Sequence, residues 1–80
     1  MFDGLNVGDI VFYAFIDFDG AGIYKARIKE AHEDYVIAET LNGLFDNLWL
    51  DKDSKYFTTH DKAVAYVRSE GTGTGFYRDE

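Results

Sequence analysis

The chain has 80 residues, with fifteen Asp and Glu against eight Lys and Arg, for a net charge of −7. Such a surface repels phosphate over most of its area, whereas generic DNA or RNA binding leaves a broad basic footprint. The absence of Cys excludes a disulfide framework and any thiolate nucleophile or metal ligand, and the absence of Pro leaves the turns to Gly, Asn and Asp.

No apolar run approaches the roughly 20 residues that cross a bilayer. The first residues, Met1 to Asn6, lack the basic and apolar regions of a signal peptide. A cytoplasmic protein without a membrane segment is the expectation. A domain of this size buries only about 60% of the surface its unfolded chain exposes, so its core is small. Seven Phe, six Tyr and one Trp compensate, since each aromatic can bury on the order of 150–250 Å².

In chain order, Asn6-Val7-Gly8-Asp9 reads as a turn into a first strand, Ile10 to Phe18, rich in β-branched and aromatic residues. Both parities of this strand are apolar, which fits a central strand or, in so short a chain, a strongly bent one. Asp17 to Gly22 is a turn-rich connection. The second strand, Ile23 to Ala31, alternates Lys25, Arg27 and Lys29 with Tyr24, Ala26 and Ile28. Period two sets three cations on one face and an apolar set on the other. His32-Glu33-Asp34 is a tight polar turn, and Tyr35 to Thr40 is the third strand. Asn42-Gly43 is a strong hairpin signal, followed by a fourth strand over Leu44 to Leu50. Residues 51–55 form a charged loop, and Tyr56-Phe57 a short fifth strand.

The period then changes. Thr58 to Asp61 supplies helix N-caps with a carboxylate in the first turn. Ala63, Val64, Tyr66 and Val67 recur at helical spacing, and Gly71 fits the stop. The helix runs near 59–70 and covers an open end of the sheet. Residues 71–80 begin with a Gly/Thr-rich stretch that reads as a flexible tail, so the organisation is one domain over residues 1–70 plus that tail.

Short strands with tight turns and one terminal helix predict a mainly β fold, a small barrel of about five strands. The residues Val7-Gly8-Asp9-Ile10-Val11 entering a long first strand, the acidic loop at Asp17 to Gly22 and the three following strands resemble the SH3-like barrels. The close at Tyr56 to Ala63 resembles that of small barrel proteins of phages and Gram-positive mobile elements. Proline-peptide recognition does not carry over, because the chain lacks the Ala-Leu-Tyr-Asp-Tyr motif and the Trp pair of the peptide-binding SH3 domains.

No catalytic constellation stands out. Ser54 and Ser69 sit in no nucleophile elbow, and His32 and His60 are far apart. Asp17-x-Asp19-Gly20 and Asp51-x-Asp53 fail the calcium-loop pattern at positions 5, 6 and 12. Gly71-x-Gly73-x-Gly75 follows the helix instead of opening one, so it is no phosphate loop. No enzyme, cofactor or metal site is expected.

Two surfaces remain. Asp17, Asp19, Glu33, Asp34, Asp46, Asp51 and Asp53 fall in turns at strand ends and, with Trp49, form a candidate protein-binding set. Surplus aromatics at a surface are typical of interaction hot spots. The reading favoured is an acidic protein-interaction module. The phage-like resemblance implies a partner in the host, with the protein as inhibitor or modulator of a basic nucleic-acid-binding protein, in one version as a DNA mimic. The alternative is direct nucleic-acid or nucleotide binding by Lys25, Arg27 and Lys29 with Tyr13 and Tyr35, aromatics stacking on bases. A third reading is a structural homo-oligomer built by edge strands and the aromatic tail.

Overall fold

The computed structural model describes residues 2–17, 20–70 and 77–79. The chain is mainly β: five antiparallel strands curl into a half-barrel with one helix after them. The strands are β1 (Ile10–Asp17), β2 (Gly20–Ala31), β3 (Val36–Thr40), β4 (Leu48–Leu50) and β5 (Tyr56–Phe57), ordered β4-β3-β2-β1-β5 across the sheet. The helix α1 spans His60–Glu70. Tyr77–Asp79 forms a further strand, β6, parallel to β2 at residues 21–23. These three residues therefore depart from the expected tail; residues 71–76 lie outside the described residues.

The turn into β1 is closed by the Asp9 N–H donating to the Asn6 carbonyl at 3.0 Å, while the Asn6 N–H donates to Asp9 Oδ2 at 2.9 Å. Gly8 takes φ 97°, a left-handed conformation that a side chain would strain. At the helix start the Lys62 N–H donates to Thr59 Oγ1 at 3.3 Å, so Thr59 is the N-cap that its residue type predicts. Among the described residues no helix is long and apolar enough to cross a membrane.

The two apolar parities of β1 have a simple cause. One face lines the concave side, where Leu5, Val11, Ala26, Ile28, Val36, Ala38 and Leu50 are buried together, with Phe2, Tyr13 and Tyr56 packed against them. The other face lies under α1, where Ala14, Ala21 and Ile23 meet Ala63 and Val67, flanked by Phe12, Ile16 and Phe57. β1 is thus the central strand of the two alternatives, with both faces covered, and α1 lies against one of those faces instead of an open end of the sheet. Each fully buried Ile, Val or Leu contributes roughly 1.5–3 kcal/mol against the entropy of ordering the chain.

Two strands differ from the pattern read in the sequence. β4 is only Leu48–Leu50, because the segment before it is held as a loop: the Thr40 N–H donates to the Phe45 carbonyl at 3.0 Å and the Phe45 N–H to Thr40 Oγ1 at 2.9 Å. Gly43, at φ 79°, and the Leu44 N–H bond to Asn42 Oδ1 turn the chain inside that loop. β2 begins at Gly20, so Asp17 and residues 20–22 of the expected turn are paired strand instead. Further on, its register to β3 slips between Ile28, opposite Ala38, and Glu30, opposite Ile37, so Lys29 is the extra residue of a bulge. After the bulge the pleat changes phase. Ala31 turns to the concave core, and Glu30 and His32 share the outer face that Lys25 and Arg27 occupy before it.

Candidate functional site

The helix covers only part of the outer sheet face. The rest is built by Lys25, Arg27, Glu30 and His32 from β2 and its end, Tyr35, Ile37 and Glu39 from β3, and Trp49 from β4. Residues opposite one another share a face, and the register sets Arg27 opposite Glu39 and Ile37 opposite both Glu30 and Trp49. In β3 the alternation is strict: Val36, Ala38 and Thr40 are buried, while Ile37 and Glu39 are half-buried.

On this open face His32, Tyr35 and Trp49 form a stack. The His32 and Tyr35 rings lie 4.4 Å apart at 19°, and the Tyr35 and Trp49 rings 3.9 Å apart at 11°. The stack is held at both ends. His32 Nε2 lies 3.0 Å from Glu30 Oε1. The Trp49 Nε1–H donates to Asp51 Oδ2 at 3.0 Å. Trp49 nonetheless keeps 53% of its surface in solvent. A large ring fixed by stacking and a hydrogen bond, yet exposed, loses little conformational freedom when a partner covers it.

Asp51 is itself fixed. Its Oδ1 accepts the Asp53 N–H at 2.9 Å, and its own N–H donates to Ser54 Oγ at 3.1 Å. The Asp53 backbone bond first, then the Trp49 indole bond, holds the Asp51 carboxyl below its ordinary value, against a smaller opposing effect of desolvation.

Beside the stack is a groove of about 470 Å³ lined by Phe2, Glu33, Asp34, Tyr35, Trp49, Asp51 and Lys52. Phe2 reaches it because the N-terminal 3-10 turn, Phe2–Gly4, is tied down at three points. The Phe2 N–H donates to the His32 carbonyl at 3.1 Å, the Phe2 ring tilts onto Tyr56 at 6.0 Å, and the Tyr56 hydroxyl donates to Asp3 Oδ2. Burial, and then the Asp3 carboxylate, push the Tyr56 phenol well above its ordinary value. Glu33 and Asp34 are exposed, and neither has a hydrogen-bond or ion-pair partner among the described residues. Among the described residues, three carboxylates therefore meet one ammonium in the groove.

Of the candidate protein-binding residues, Glu33, Asp34, Trp49 and Asp51 come together here. Asp53 joins through its backbone. Asp46 is exposed in the loop before β4 and does not line the groove. Asp17 is placed by its backbone as the last residue of β1, and Asp19 lies outside the described residues. The alternative nucleic-acid set divides. Lys25 and Arg27 are exposed, but Arg27 Nη2 lies 3.4 Å from Glu39 Oε2. Tyr13 packs against the concave core, on the opposite face from the cations, and Tyr35 sits in the stack. Phe2 was legible as a surplus aromatic that folds over the barrel or meets a partner, but not its place in this groove, and Lys52 and the stacking of His32 were missed. The stacking had a signal: folding the chain about Gly43 sets Trp49 opposite Ile37, one pleat repeat from Tyr35.

Among the described residues no group of three or more His, Cys, Asp or Glu is arranged to hold a metal ion. No family model matches the chain, and no curated protein and no solved structure matches it.

Proposed function

We propose that the protein is a small, acidic, non-enzymatic interaction module that holds a basic segment of a partner protein against the Tyr35–Trp49 face. The observation that carries this reading is the groove in which an anchored, half-exposed Trp49 lies among Glu33, Asp34 and Asp51. Aromatic anchors provide the burial that makes hot spots. The carboxylates, within a chain of net charge −7, speed encounter with a cationic partner and select against acidic ones. A basic nucleic-acid-binding protein is the partner class this charge suits, and occupation of its nucleic-acid surface is the form of inhibition it would produce.

The test is association with a panel of basic nucleic-acid-binding proteins at low and high salt, for the natural chain and for Trp49→Ala. The reading expects binding that weakens with salt and falls about 30-fold or more in the variant, as hot-spot removal does. Binding that ignores both salt and the substitution contradicts it. Direct nucleic-acid binding has less support, since Arg27 is paired with Glu39 and Tyr13 lies on the other face. Titration of single-stranded oligonucleotides against a variant with Lys25, Arg27 and Lys29 changed to Gln separates the two.

A further inference from the structure

We infer that the groove beside Trp49 is a guanidinium site: it takes an arginine side chain of the partner, laid flat on the indole, with its N–H fork on the carboxylates of Glu33 and Asp34. This rests on the interaction-module reading and names the chemistry that the module recognises. Ring geometry separates arginine from other cations. The three rings are nearly parallel, at 19° and 11°, and so form a column that ends on Trp49. Tyr35 is covered on both faces in this column, which leaves the outer face of Trp49, a ring 53% exposed, for a planar, weakly hydrated guanidinium that stacks face to face. A quaternary ammonium is recognised by a cage of aromatic rings around it, which a parallel stack does not make.

The carboxylates divide the work. Both oxygens of Asp51 already accept hydrogen bonds, from the Trp49 indole and from the Asp53 N–H, so this residue positions the ring. Glu33 and Asp34 are exposed and without partners among the described residues, which leaves their oxygens open to a forked donor. Lys52 lines the same groove and, among the described residues, is the cation that competes with the ligand there.

Trp49 is the single Trp of the chain, so its fluorescence reports on this site. The experiment titrates the full chain, at low salt, with three peptides of equal length and charge that alternate glycine with arginine, lysine or trimethyllysine. The arginine peptide is expected to shift the emission and to bind about fivefold or more tightly than the lysine peptide, the difference that stacking contributes. Changing Glu33→Gln and Asp34→Asn together is expected to weaken it at least about tenfold, and Lys52→Gln to tighten it. All three positions are exposed or line the groove, outside both cores, and circular dichroism checks that the variants fold. Equal affinity for arginine and lysine, or preference for trimethyllysine, overturns the guanidinium site while leaving the interaction module standing. Failure of all three peptides, while a basic protein still binds in a Trp49-dependent manner, also overturns the guanidinium site alone. Failure of every basic partner overturns both.

Discussion

The outer face of the sheet has two halves built on different physical terms. Under α1 the fully covered residues are aliphatic, Ala14, Ala21 and Ile23 against Ala63 and Val67, with Phe12, Phe57 and Tyr66 packed around them. Beyond the helix the same face carries an aromatic stack, the Arg27–Glu39 ion pair, the His32–Glu30 contact and a half-exposed Trp49. The covered half gains from water removed and contacts made, and it tolerates little change of volume. The open half gains modestly from stacking and exposed pairs, and keeps its largest apolar ring in water. A chain this short has little surplus stability, so an anchored Trp left half-exposed points to a use outside the fold.

That contrast can be broken from either side. The largest expected effect is in the covered half. Ile23 is fully buried, and Ile23→Ala is expected to cost about 2–5 kcal/mol by lost burial and a residual cavity. A lowered denaturant midpoint with an unchanged slope would record it. Next comes overpacking: Ala63 is buried at the helix–sheet contact, and Ala63→Leu is expected to cost about 1–3 kcal/mol in the same measurement. In the open half, Trp49→Ala is expected to remove about 0.5–1.5 kcal/mol of stacking together with the burial of the covered part of the ring, less than Ile23→Ala costs, while abolishing most of the binding. A stability loss matching that of Ile23→Ala would erase the distinction between the halves.

Much of this division was legible in the sequence, and its limits have causes in particular residues. The two apolar parities of Ile10 to Phe18 fitted a central strand or a bent one, and the spacing of Ala63, Val64, Tyr66 and Val67 marked α1 but not the sheet face that it covers. The alternation at Lys25 and Arg27 marked the outer face, but the bulge at Lys29 was invisible, because a bulge depends on the partner strand. β4 was read too long because Leu44 and Phe45 are apolar; their backbone is bound instead to Asn42 and Thr40 side chains. Glu33, Asp34, Trp49 and Asp51 were each singled out as turn carboxylates and a lone Trp. Their convergence needed the hairpin register. Phe2 needed a backbone bond to His32, a contact with no trace in local pattern.

pH sharpens the comparison further. The Asp51 carboxyl is held below its ordinary value of 3.8 in the fold. Its contribution is therefore present above that value and is lost as pH falls through the lower folded one. Emission of Trp49 is expected to change as pH falls through the lowered folded value of Asp51, and Asp51→Asn is expected to remove that step. The Tyr56 phenol is raised from its ordinary 10.0, so its contribution is complete below pH 10 and is lost as pH rises above it. Alkaline unfolding is expected to shift upward in Tyr56→Phe. The smallest effect belongs to the Arg27–Glu39 pair, with side chains 52% and 37% exposed. Arg27→Gln is expected to change stability by about 0.2–1 kcal/mol, less in high salt.

The most direct test follows the single indole resonance of Trp49. Its Nε1–H is hydrogen-bonded to Asp51 at the edge of the groove, so its shift reads any partner that covers the stack. On addition of a basic partner at low salt, the resonance is expected to move together with those of Tyr35, Glu33 and Asp34, and to return in high salt. A fixed indole resonance, with the changes falling on α1 or on Lys25 and Arg27 instead, would contradict the assignment of the open half as the binding face.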